Sequence, residues 1–122
     1  MAEKKKTTSA YGAGYKAGQE TRCAIKRIKL MVEEQPRPGG AGRPDRFFAL
    51  VARAYANHAR YGKGSPIPWL AEQTGADRRT AENWVRQARK RGLLTDPTPG
   101  VGGGELTEKA KGLLAGDQER SG

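Results

Sequence analysis

The stretch that most limits what this chain can become is residues 69 to 94, WLAEQTGADRRTAENWVRQARKRGLL. Its apolar residues recur at helical spacing, but Gly75 breaks the beat. Two short helices meeting at a turn satisfy that pattern better than one long helix. Ser65 can cap the first of the two, with Pro66 in its opening turn and an end at about Thr74. Asp77 can cap the second, which runs from about Arg78 to Arg91 and stops at Gly92. Two helices joined at a Gly-containing turn, the second one basic, form the physical pattern of a helix-turn-helix. Ala71 is small where the helices cross, and Leu70, Ala81 and Trp84 face a shared core that Val85 and Ala88 extend. Arg78, Arg79, Glu82, Asn83, Arg86 and Lys90 project away from it.

Charge then suggests a partner. Residues 43 to 94 hold eleven Lys/Arg against four Asp/Glu, and residues 1 to 37 hold nine against four. Residues 95 to 122 reverse the balance, with three against five. A net charge of +10 favours a polyanion, with nucleic acid ahead of an anionic membrane. A helix bearing Arg78, Arg79, Glu82, Asn83 and Arg86 on its outer face can lie in a major groove, its early residues reaching base edges. Arg reads guanine and Asn reads adenine through paired hydrogen bonds. Arg89, Lys90 and Arg91, with Lys63 from the preceding loop, suit phosphate contacts that hold the duplex without reading it.

The rest of the chain is less periodic. Residues 1 to 20 lack an apolar beat and read as a disordered basic arm. In residues 21 to 34, Ile25, Ile28 and Val32 fit a helical face, while Ile28, Leu30 and Val32 fit a strand. The β-branched content tips the reading to a strand. The run QPRPGGAGRP, to residue 44, is a linker that no helix crosses. From Asp45, the residues Phe47, Leu50, Val51, Ala54, Tyr55 and His58 mark a helix. After Gly92, residues 93 to 107 read as two small strands around a Gly-rich loop. A last short helix follows, with Thr107 as its cap and Leu113 and Leu114 packing back. Residues 116 to 122 read as a frayed tail. The domain proper is thus residues 45 to 115, and Cys23, His58 and Trp84 read as structural residues.

The segment PIPWLAEQTGADRRTAENWVRQARKRGLL resembles the helix-turn-helix of small bacterial and phage regulators. With TDPTPGVGGGELTEKAKGLL added, it is similar to winged helix-turn-helix proteins. The resemblance implies a mainly α fold with a small β-hairpin wing, and a DNA-binding regulator with Arg78, Arg79, Glu82, Asn83 and Arg86 at the groove-facing positions. The wing tip TPGVGGG departs from many wings in having no Lys or Arg.

The expected function is sequence-specific binding of double-stranded DNA, most simply in transcriptional regulation, by a cytoplasmic, nucleoid-associated protein that can act as a homodimer. The alternative is a non-regulatory architectural or accessory factor for phage or plasmid recombination, replication or partition, or an RNA- or ribosome-associated module. One His and one Cys give no His/Cys metal cluster and no Cys-based zinc site, and the acids are scattered with no pair to place in a cleft, so neither an enzyme nor a metal or other cofactor is expected. A lone thiol fits a reducing cytosol, and no apolar run reaches the length of a membrane span.

Overall fold

The computed structural model describes the backbone of residues 9–37, 42–96 and 104–121, and side-chain surroundings for 16–37, 42–96 and 104–115. Five α-helices account for most of it: α1 Ser9–Glu34, α2 Asp45–Tyr61, α3 Pro66–Thr74, α4 Arg78–Lys90 and α5 Glu108–Ser121. The third helix of the sequence reading is therefore α4.

The largest departure from expectation is α1. It begins at Ser9, inside the segment expected to be a disordered arm, and runs through the segment expected to be a strand. Residues 1–8 of that arm lie outside the described residues. Leu30 shows which periodicity won. A strand would bury it with Ile28 and Val32, yet Leu30 is 49% exposed while Ile25 and Ile28 are buried. Ala17, Ala24 and Ile28 instead make one buried stripe at helical spacing. The β-branched preference is weak and yields to the Ala-, Lys- and Arg-rich surroundings and to tertiary packing. The helix ends on a bond from the Gln35 amide to the Met31 carbonyl, just before Pro36.

The partner of α1 is α2, the helix it packs against most extensively. The Asn57 amide donates to the Ala17 carbonyl at 3.3 Å, tying the end of α2 to the first half of α1. All six residues expected on the core face of α2 are buried, and so are Phe48, Ala49 and Ala52 beyond that face. A helix buried this widely is central, with α1, α3, α4 and α5 all packed against it. Phe47 is fully buried at the centre, edge-on to Phe48 at 5.2 Å and to Trp84 at 5.1 Å.

The expected wing is not there. Among the described residues there is no strand, only an isolated antiparallel bridge between Leu94 and Leu106. The Thr95 amide donates to the Glu105 carbonyl and the Thr107 amide to the Leu93 carbonyl, and the ladder extends no further among those residues. Pro97 and Pro99 lack N–H groups, and only two apolar residues precede them. The Thr95 hydroxyl, not a backbone carbonyl, takes the Glu105 amide at 2.7 Å. Residues 97–103 of the expected hairpin lie outside the described residues. The fold is a small all-α one, not a winged one.

Thr107 caps α5 as expected, accepting from the Ala110 amide at 3.2 Å, and Ala110 and Leu114 are buried. The backbone of α5 stays helical through Ser121, where a frayed tail was expected.

Candidate nucleic-acid interface

The α3–α4 pair has the geometry its sequence implies. Gly75 takes the left-handed conformation at φ 79°, and the Gly75 and Ala76 amides both donate to the Ala71 carbonyl, closing α3. Ser65 makes no side-chain cap to α3, contrary to expectation; only its carbonyl takes part, accepting the Trp69 amide at 3.4 Å, and Pro66 stands in the first turn. Two residues after Gly75 the Asp77 carboxylate accepts the Thr80 amide at 2.7 Å and starts α4. That bond, with Arg79 nearby, holds the Asp77 carboxyl below the usual carboxylate range. A carboxylate on this helix start also occupies the place where a phosphate would otherwise settle.

One side of α4 is core. Ala81, Trp84, Val85 and Ala88 are buried at i, i+3, i+4 and i+7. The other side carries the predicted base-reading set, and Arg78, Arg79, Glu82, Asn83 and Arg86 are all exposed. At about 100° per residue they and Lys90 occupy roughly 140° of arc, a single stripe. Within it the Arg86 guanidinium donates to the Asn83 side-chain oxygen at 3.4 Å. That bond orients the Asn83 amide, and its length and exposure make it easy to exchange for a base edge.

The predicted phosphate contacts divide. Lys90 is exposed at the end of the stripe, and Lys63 is exposed in the loop before α3. Lys63 thus sits at the far end of α3 from the Gly75 turn, about 13 Å of helix away. Arg91 does a different job. Its guanidinium pairs with Asp45 at 2.7 Å, donates to the Arg43 carbonyl at 3.2 Å and lies 4.3 Å over the Phe48 ring. It fastens the end of α4 to the start of α2. Arg89 bonds the Thr95 carbonyl at 3.2 Å and lies 5.5 Å over the Tyr55 ring. It holds the chain leaving α4. Spacing alone could not separate these two from Lys90, because their partners lie outside α4, most of them remote in sequence.

Compared with protein-family models, with curated proteins and with solved structures, the chain matches none.

One further residue differs from its sequence reading. Cys23 is exposed rather than packed. His58 is buried, its ring stacked 4.1 Å from that of Trp69, and its Nε2 has no partner among the described residues. Sequence reasoning also missed an exposed basic row on α1, formed by Arg22, Lys26 and Lys29. Its signal was present as cations at i, i+4 and i+7, but a strand reading scatters them over two faces. Among the described residues no helix is long and apolar enough to cross a membrane.

Proposed function

We propose that this protein binds duplex DNA through α4, reading base edges with Arg78, Arg79, Asn83 and Arg86, and that it acts as a transcriptional regulator on the nucleoid. The observation that supports this reading is the two-faced character of α4. One face is locked into the core by Ala81, Trp84, Val85 and Ala88, and the other presents an uninterrupted stripe of Arg, Asn and Glu. A polar stripe on a rigid, capped helix is the preorganised arrangement that groove reading needs. Glu82 lies among the cations and suits acceptance from a cytosine amino group. The role is binding, not catalysis.

Lys90 is the phosphate contact nearest the stripe, while Arg89 and Arg91 are assigned to the fold. A single module of this size gains affinity by pairing on two half-sites, so a homodimer on DNA fits the reading. The test is selection of bound sequences from a random duplex pool, repeated with Arg79→Ala. Enrichment of a short motif by the native protein, with preference lost at one base position in the variant, supports the reading. Retention of every duplex alike, or stronger retention of RNA, would overturn it in favour of a non-regulatory nucleic-acid-binding role.

A further inference from the structure

A second surface lies away from α4, in an open groove of about 320 Å³ between α1 and α3. Its apolar lining comes from Ile25 and Leu30 of α1 and Trp69 of α3, and its charged lining from Arg22, Lys26 and Lys29 against a single carboxylate, Glu33. No residue of α4 lines it, and α1 and α4 do not pack together. We propose that this groove docks an acidic amphipathic segment of a partner protein, laid as a helix with its apolar side on Leu30 and Trp69 and its carboxylates against Arg22, Lys26 and Lys29.

Three observations carry this. Leu30 is the more exposed of the two exposed large hydrophobic residues among those described, and it lies inside the groove. An aliphatic side chain left half in water beside a Trp is the kind of anchor that a partner's apolar residues cover. Next, Arg22, Lys26 and Lys29 are like charges at i, i+4 and i+7, a spacing that weakens a helix standing alone. None of the three has an ion-pair partner among the described residues. Carboxylates at matching spacing on a second helix would relieve that repulsion and fix its register. Finally, the apolar lining argues against a nucleic-acid strand. Ile25 and Leu30 offer nothing to a sugar-phosphate backbone, and one face of Trp69 is already covered by His58. No α4 residue lines the groove, so the two surfaces share no side chain of that helix.

The experiment uses the full chain and a fluorescein-labelled helical peptide with Leu at i, i+3, i+4 and i+7 flanked by Glu. Controls are a scrambled peptide of the same composition and a labelled duplex. Saturable binding of the amphipathic peptide over the scrambled one is expected by fluorescence anisotropy. Leu30→Asp, and separately the pair Lys26→Glu and Lys29→Glu, should each weaken it by about tenfold or more. Measured in salt high enough to screen the added negative charge, duplex affinity should stay within about twofold, because the groove and α4 share no residue. The lysine variants change only exposed side chains, so they test the idea even if Leu30→Asp disturbs packing. Equal binding of both peptides, no saturable binding, or peptide affinity untouched by the variants would overturn the proposal. Loss of duplex affinity in the lysine variants would assign the groove to nucleic acid instead. A dimer that Leu30→Asp converts to monomer in sedimentation would assign it to a second copy of this chain.

Discussion

Replacing Arg91 by Ala separates a residue that holds the fold from one that holds DNA. Its guanidinium makes three contacts at once, to Asp45, to the Arg43 carbonyl and to the Phe48 ring. The ion pair is partly exposed, 29% on the Arg91 side and 46% on the Asp45 side, so water screens it and it contributes about 0.5 kcal/mol. The charged bond to the Arg43 carbonyl adds about 1 kcal/mol net. The contact with Phe48, which is buried, adds about 0.5–1 kcal/mol. Together these give about 2 kcal/mol, which in a domain of this size lowers the melting temperature by roughly 6–12 °C. Thermal unfolding followed by circular dichroism measures the loss. A cycle with Asp45→Asn should return a coupling of about 0.5 kcal/mol, the pair's own share. Arg91→Lys should lose most of the stability too, since an ammonium cannot bond two acceptors and lie flat on a ring at once. Well below the melting transition, the variant's salt dependence of DNA binding should equal that of the native protein. If Arg91→Ala melts like the native protein and its salt slope falls by about 1, Arg91 contacts phosphate and the structural assignment is wrong.

Four other outcomes follow from the same contacts. With Arg89 and Arg91 committed internally, four cations remain on the outward face of α4, Arg78, Arg79, Arg86 and Lys90, and if they displace about three or four counterions, log affinity against log salt should slope at about −3 to −4; a slope near −7 would mean further cations take part. Gly75→Ala meets no atom but must hold φ near 79°, so urea unfolding should show a loss of about 1–2 kcal/mol, and no loss would mean the turn can relax. Gly62→Ala sets a Cβ against Nδ1 of the buried His58 ring, inside van der Waals contact, so it should cost about 1–3 kcal/mol and shift tryptophan emission as the stack on Trp69 opens; unchanged emission would count against it. The Asp77 carboxyl is lowered in the folded state, so its charge stabilises the fold fully above the ordinary carboxylate range and ceases to as pH falls through the lowered value; the stability gap to Asp77→Ala should narrow on acidification, and a constant gap would refute the charged cap.

The legible parts of the fold were those in which local pattern and packing agree. Gly75, Asp77 and Gly92 announce the ends of α3 and α4 because each supplies a backbone or cap property that few other residues can. The core face of α2 was legible for the same reason: its large apolar residues repeat at one period. Phe48, Ala49 and Ala52 were not, because they fall outside that stripe and are buried only through the way the other helices surround α2. Missing α1 and missing the width of the buried surface on α2 are thus one error. Its source is that α1 buries mainly Ala17, Ala24, Ile25 and Ile28, a thin stripe in which the alanines carry little hydrophobic signal. The absent wing is the converse. Short apolar pairs on either side of a Gly-rich loop look like strands, but a ladder also needs consecutive N–H donors, and prolines at 97 and 99 withhold two of them.

At the candidate site, the sequence separates outside from inside but not free from engaged. The amphipathic period of α4 identifies every exposed position from Arg78 to Lys90 correctly, since that is a property of one helix. Whether an exposed arginine is available to a ligand depends on what faces it across the fold. Asp45 is 46 residues from Arg91 in the chain and lies 2.7 Å from it in space. Phe48, which completes that contact, was not expected to be buried. Arg89 is engaged by Thr95 and Tyr55, one just past its own helix and the other on α2. The residues at the end of α4 therefore divide by tertiary neighbours: Lys90 is exposed, while the arginines on either side of it are engaged by α2 and by the chain around it. A basic cluster at the end of a helix is consequently weaker evidence for phosphate binding than the same number of charges on its outward face, because the end of a helix is where the fold must also be tied down.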